Sequence, residues 1–308
     1  MAEAAPRAAG PSVGLTFIST GTVRIRQSMK GQPITTKTVI LRRLTSLMDR
    51  QWTEELPIGV FIVSHPDGPI LFDTGDSPLW GTPGYLPAWS PTKFFSHVTI
   101  GPDDGILSQL RAHDVDPTTL QAIVLSHLHG DHAGGLKDLA AAAPNVPVFV
   151  SGEHWEAFGK HPLRAKIEGC TPQHWPVGFD PTILPFADGP VGPWKQSHKV
   201  TADGKVVVIH TPGHVPGHIS MIVYGQEGDS STTYFLPGDA TYGIDLLDRE
   251  EPDGINDDPV TALQSLKLIK EFAGQTDVVV LPSHDPETPR LLKERVVYKP
   301  KDSTTSTK

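Results

Sequence analysis

Three imidazoles and a carboxylate fall within six residues of this chain, in the stretch Ser126-His127-Leu128-His129-Gly130-Asp131-His132. They follow directly on the apolar run Ala122–Leu125, which reads as a short buried strand. Gathering such groups at one strand end is costly unless something cationic binds among them. Imidazole and carboxylate are also the ligand types of zinc and similar borderline metals. A lone His-x-His is weak evidence for a metal site; His-x-His-x-Asp-His behind a strand is strong.

The same strand-then-turn arrangement recurs three times. Val206–Ile209 runs into His210-Thr211-Pro212-Gly213-His214-Val215-Pro216-Gly217-His218, Tyr234–Leu236 into Pro237-Gly238-Asp239, and Val278–Leu281 into Pro282-Ser283-His284-Asp285. In each, a stiff strand delivers a candidate ligand and a Gly or Pro turn aims it at a shared cleft, as preorganised metal sites require.

The segments between these turns suggest helices covering packed sheets. Ile58–Val63 and Ile70–Phe72 flank His65-Pro66-Asp67-Gly68, a hairpin signal. Ile123–Leu125 and Val146–Val150 are further strand candidates. Asp257-Asp258-Pro259 caps an expected helix to Phe272, with Val260, Leu263, Leu266, Ile269 and Phe272 on one face and Gly274 as the stop. Ile106–Ala112 and Leu136–Ala143 are two more helices. The organisation expected is an N-terminal tail over residues 1–11, one domain over 12–299, and a C-terminal tail over 300–308.

Two long Pro-rich loops, 76–102 and 171–200, hold Trp80, Tyr85, Trp89, Phe94 and Phe95, and Trp175, Phe179, Phe186 and Trp194. Most of these aromatics are expected to anchor their loops to the core, with one or two lining a substrate pocket.

Bulk properties exclude several classes. A net charge of −9 argues against a nucleic-acid partner, because phosphate binding needs a basic footprint. The single cysteine, Cys170, permits no intramolecular disulfide and reads as an inert thiol. No apolar run approaches the ~20 residues that span a bilayer, and Met1–Pro11 lacks the apolar core of a secretory signal. The expectation is a soluble cytoplasmic protein with a small-molecule substrate and no membrane partner, with a homodimer possible.

These residues resemble the metallo-β-lactamase superfamily, whose pattern is HxHxDH followed by a distant His, Asp and His. The match spans roughly residues 58–285. The resemblance implies an αββα sandwich and two metal ions, with Zn2+ the ion expected. It assigns His127, His129 and His214 to one metal, Asp131, His132 and His284 to the second, and Asp239 as the bridge. Asp73, in Leu71-Phe72-Asp73-Thr74-Gly75, matches a family motif that orients a ligand from behind.

Within the superfamily the chain is most similar to N-acyl homoserine lactonases. Ser-His-Leu-His-Gly-Asp-His-Ala-Gly-Gly, the seven-ligand set and Tyr242, three residues past Asp239, carry that likeness. The reaction it implies is ring opening of a lactone by a water that two metals hold and acidify. Tyr242 would contact the substrate carbonyl, and Asp131 or Asp239 would move the proton.

The alternative is hydrolysis of a γ-lactam or cyclic carbamate by the same chemistry. A thioesterase of the glyoxalase II type is disfavoured by the 24 residues that follow His284, too few for its helical substrate domain. A non-enzymatic scaffold is disfavoured because no ligand is missing. His218 is expected to support the site without ligating, and His210 to pack at a strand end. His65, His97, His113, His154, His161, His174 and His198 are expected at the surface or in loops. For Tyr242 the competing reading is a packing residue with a satisfied hydroxyl.

Overall fold

The computed structural model describes residues 12–35, 38–86, 90 and 92–301. The expected N-terminal tail, most of the C-terminal one (302–308) and Trp89 lie outside the described residues.

The chain opens with β1 (Gly14–Ile25), then α1 (Val39–Met48), β2 (Leu56–Ser64) and β3 (Ile70–Phe72). Next come β4 (Ser96–Thr99), α2 (Ile106–Ala112), β5 (Ala122–Val124), α3 (Leu136–Ala142), β6 (Val148–Ser151) and β7 (Thr182–Leu184). These seven strands form one sheet in the order β4-β1-β2-β3-β5-β6-β7. The second sheet is built from β8 (Ser197–Lys199), β9 (Val206–His210), β10 (Ile219–Glu227), β11 (Ser230–Leu236) and β12 (Val278–Val280), in the order β12-β11-β10-β9-β8. Helix α4 (Pro259–Gln275) precedes β12, and α5 (Thr288–Glu294) follows it.

Alternation along the strands sorts the core into layers. Phe61 and Val63 of β2 point inward with Phe72 and Val124, where they meet Val208, Met221 and Leu236 of the other sheet. Val60 and Ile62, one residue out of phase, face the opposite way with Leu71 and Ile123 and are covered by Ile106, Leu110, Leu136 and Leu139 of α2 and α3. On the outer face of the second sheet, Ile209, Ile222, Phe235 and Val278 pack on Leu266, Ile269 and Phe272 of α4. The result is helix, sheet, sheet, helix. Strands buried on both faces have no reason to alternate polar with apolar, which is why these runs are continuously apolar.

The expected hairpin between β2 and β3 forms, with Val63 opposite Ile70. Its Gly68 sits at φ +126, and a Cβ there would lie 2.8 Å from the Thr119 carbonyl oxygen. Helix α4 begins as expected, with Asp258 accepting from the amides of Val260 and Thr261 at 2.9 and 3.1 Å. It runs past the expected stop. Gly274 lies within the helix, which ends at Gln275.

Several elements were invisible to the pattern, β1 and α1 chief among them. β1 pairs with both β2 and β4, and α1 buries only Arg42 and Ser46. Among the described residues no helix is long and apolar enough to cross a membrane.

Candidate metal centre

The turns that follow β5, β9, β11 and β12 open at one edge of the sandwich and converge there. Asp73, directly after β3, takes a left-handed backbone conformation (φ 67) to face them. Its Oδ1 accepts from the Ser126 amide at 2.7 Å, and its Oδ2 accepts from the Ser126 hydroxyl at 2.9 Å. That clamp fixes the start of the His127–His132 turn. Gly238, at φ +55, lets the turn after β11 approach as closely. A Cβ there would lie 2.9 Å from His218 Nε2 and 3.0 Å from Ser126 Cβ.

All seven candidate ligands meet. His127 Nε2 lies 2.9 Å from His129 Nδ1, which lies 3.1 Å from His214 Nε2. His132 Nε2 lies 3.2 Å from His284 Nε2, and Asp131 Oδ2 lies 3.5 Å from that same nitrogen. Asp239 reaches both groups: Oδ1 is 3.1 Å from His132 Nε2 and 3.3 Å from His284 Nε2, while Oδ2 is 3.6 Å from His214 Nε2.

The donor set fits metal ions. Each neutral ring has one N–H, and three of the five rings have a hydrogen-bond partner for their outer nitrogen. His127 Nδ1 is 3.0 Å from Ser126 Oγ, His132 Nδ1 2.9 Å from Asp73 Oδ2 and His284 Nδ1 2.7 Å from the Pro57 carbonyl. His214 Nδ1 makes a charge contact instead, 3.2 Å from Asp253 Oδ2. A proton spent on those acceptors leaves a lone pair on the inward nitrogen. Inward lone pairs about 3 Å apart repel unless a cation lies among them. The groups His127/His129/His214 and Asp131/His132/His284 each bring their ligand atoms within 4.8 Å of one another. The outer nitrogens of His129 (Nε2) and His214 (Nδ1) are both buried without a hydrogen-bond partner among the described residues, and only the second has a carboxylate close by.

Electrostatics divide the cluster. Burial, followed by neighbouring imidazoles, holds His127 and His129 well below the usual histidine range, so both are neutral and able to ligate. Burial acts the same way on His132, but Asp239, then Asp73 and Asp131, outweigh it and raise that ring. Asp239 is the converse case. Burial pushes its carboxyl up, while His132 and His284 hold it well below the carboxylate range.

Tyr242 lies inside the same cluster. Its hydroxyl donates to Asp239 Oδ2 at 2.6 Å, and its ring lies over His284 with centroids 5.1 Å apart and planes 20° apart. Burial, then the Asp239 charge, raises the phenol well above its ordinary range, so it keeps its proton. His218 has no free nitrogen: Nε2 accepts from the Asp239 amide at 3.1 Å, and Nδ1 faces the Thr211 carbonyl at 3.1 Å. It holds the backbone that carries Asp239. His210 stacks on Phe186, centroids 3.7 Å apart.

His154 is not a surface or loop residue as expected. It is fully buried; its Nε2 accepts from the Leu128 amide at 2.9 Å, and its Nδ1 donates to the Pro216 carbonyl at 2.8 Å. It thus ties the His127–His132 turn to the His214 turn. Nothing in the local sequence announces this, because both partners are backbone groups far along the chain. His65 is also packed, 3.1 Å from Asp203, and His174 stacks on Tyr85; His97, His113 and His161 are exposed. Cys170 is buried, which pushes its thiol up and keeps it unreactive.

A cavity of about 320 Å³ opens above the cluster. Ile25, Met29, Leu47, Phe95, Val98 and Ile167 give it an apolar wall. Of the described loop aromatics, Trp80 and Phe95 line it. Trp175 and Trp194 instead anchor their loops, Trp194 against Phe235 and Phe272.

Fold and site together define a metallohydrolase-type sandwich, and comparison with known proteins gives the family. The family model described as the metallo-beta-lactamase superfamily matches residues 55–284, and the chain belongs to that superfamily. N-acyl homoserine lactonase AttM of Rhizobium radiobacter is 27% identical over 248 residues, covering 76% of this chain and 83% of that protein. An N-acyl homoserine lactonase of a Bacillus species is 29% identical over 245 residues, 78% of this chain and 85% of that one. Among solved structures, an N-acyl homoserine lactone hydrolase with N-hexanoyl-L-homoserine bound at its catalytic metal centre matches with a TM-score of 0.69 at 25% identity, covering 91% of this chain and 96% of that one. The dizinc quorum-quenching lactonase AidC matches at 0.60 with 17% identity, covering 89% and 88%, a likeness of fold alone.

Proposed function

We propose that this chain holds two zinc ions and hydrolyses lactone rings, with N-acyl homoserine lactones as the substrate class. The observation that carries the reading is Asp239, whose two oxygens face the two different groups of imidazoles. The similarity to N-acyl homoserine lactonases over most of the chain supports the substrate class.

On this reading His127, His129 and His214 would hold one ion, Asp131, His132 and His284 would hold the other, and Asp239 would serve both. Imidazole with carboxylate suits zinc, and seven ligands overfill one tetrahedral site. Ions bound there supply positive charge at the scissile carbonyl and a water acidic enough to lose its proton near neutral pH. Tyr242, kept protonated by its surroundings, turns its hydroxyl from Asp239 to the carbonyl oxygen as negative charge grows there. Asp131 or Asp239 takes the proton released by the water and returns it to the departing ring alkoxide. The apolar wall beside the cluster binds an acyl chain and excludes water from it.

A hydrolysis panel on the purified zinc-loaded protein tests the assignment. N-acyl homoserine lactones should turn over with kcat/KM well above γ-lactams, cyclic carbamates and glutathione thioesters. A preference for lactams or thioesters, with lactones inert, would overturn it.

A further inference from the structure

We propose that Asp253 and Arg42 are positioning residues for His214, and that they tie the wall of the substrate cavity to the metal centre. The inference rests on the metal-binding reading of the His127/His129/His214 group.

Arg42 is almost wholly buried, an expensive place for a guanidinium without compensating partners. Its partners are backbone carbonyls. Nη1 donates to Pro33 at 3.0 Å, and Nη2 faces Gln32, Pro252 and Asp253 at 3.2, 3.2 and 2.9 Å. Two of these carbonyls lie more than 200 residues away, in the loop between β11 and α4. Arg42 therefore fixes the backbone of residues 252–253.

Asp253 uses that fixed backbone. It is 4% exposed; Oδ1 accepts from the Ile255 amide at 3.0 Å, which leaves Oδ2 to face His214 Nδ1 at 3.2 Å. A carboxylate behind a ligating imidazole fixes its tautomer, sets its ring orientation and makes it a stronger donor. On the opposite side of the cluster Asp73 likewise places a carboxylate behind His132, there as a 2.9 Å hydrogen bond to Nδ1.

The helix that carries Arg42 is also a wall of the cavity, since Arg43, Ser46 and Leu47 of α1 line it. Arg43 strengthens the tie, donating to the Ile255 carbonyl at 3.1 Å and to Asp257 at 2.7 Å. A displacement of α1 therefore reaches His214 through two short, buried links. Neither link was visible in the sequence, because no motif joins residues 42, 253 and 214.

The test is zinc affinity, measured by chelator competition on wild type and variants, with metal-free folding followed in parallel by circular dichroism. Asp253→Ala should weaken one of two equivalents by roughly 10–100-fold and leave the other unchanged. Asp253→Asn, which keeps an acceptor for the Nδ1 proton but loses the charge, should weaken the same equivalent by less. In a His214→Ala background, Asp253→Ala should have no effect on the equivalent that remains. Arg42→Lys, which keeps the charge but cannot span four carbonyls, should reproduce the Asp253→Asn loss. Wild-type affinity for both equivalents in Asp253→Ala would overturn the proposal. Should that variant not fold, unchanged affinity in Asp253→Asn would do the same. Equal weakening of both equivalents would also overturn it, as the mark of general loosening. A wild-type protein that binds fewer than two zinc ions would instead contradict the binuclear reading beneath it.

Discussion

The Tyr242 hydroxyl donates to Asp239 Oδ2 at 2.6 Å, on the carboxylate whose two oxygens face two groups of imidazoles. That contact satisfies the phenol at rest, and under the proposed function the same hydroxyl would donate to the substrate carbonyl during reaction. Tyr242→Phe removes only the hydroxyl, so the ring packing on His284 stays. A bond that strengthens as charge builds on the carbonyl oxygen should show its loss in kcat. Single oxyanion donors are worth ~2.7–4 kcal/mol, and adjacent bound cations should reduce the loss below that range. Steady-state kinetics with zinc content in parallel are the measurement. Wild-type kcat and KM would make the hydroxyl a bystander.

The two histidines of the turn after β9 should separate cleanly. His214→Ala should strip one metal equivalent, and Asp239→Ala should weaken both and remove activity. His218 holds the Asp239 amide through a nitrogen that has no lone pair to spare, so His218→Ala should cost less metal than either. Metal content after matched dialysis decides the order. If His218→Ala lost metal and His214→Ala did not, the assignment within that turn would be reversed.

The loop tryptophans divide by environment. Trp80 lines the cavity, so Trp80→Ala should change KM or acyl preference while the melting temperature holds. Trp194 packs on Phe235 and Phe272, so Trp194→Ala should cost ~3–5 kcal/mol of stability, with the folded fraction keeping its kcat/KM. Denaturation and kinetics on the same two variants tell the roles apart.

His154 predicts a pH dependence of stability. Burial holds its imidazole down at about 4, against 6.5 for an unperturbed side chain. Between those values the unfolded chain binds the extra proton, so this contribution is complete above pH 6.5 and is lost as the pH falls toward 4. Its full size is on the order of 3 kcal/mol. Urea unfolding of metal-free protein should show a shallower decline over this window in His154→Gln than in wild type. Identical slopes would mean that other groups carry the acid sensitivity.

The parts of this account that were legible in the sequence share one property: they are local. His127, His129, Asp131 and His132 announce themselves because one strand end carries them all. Asp239 and His284 follow because their turns repeat the pattern. What was not legible depends on distant backbone. His154 bonds Leu128 and Pro216, and Arg42 bonds Pro252 and Asp253, by groups that every residue possesses. β1 was hidden for a related reason. It is mostly half-buried, interrupted by Gly21, and defined chiefly by its pairing with β2 and β4. Gly274 misled by a single turn, since helix ends are set within a residue or two and the chain stays helical to Gln275.

The most direct test of the binuclear reading is to titrate zinc into metal-free protein while following hydrolysis of an N-acyl homoserine lactone. Activity should rise until two equivalents per chain are bound and then level off, with Asp239→Ala flat throughout. Full activity at one equivalent, or activity that survives complete removal of metal, would contradict the account.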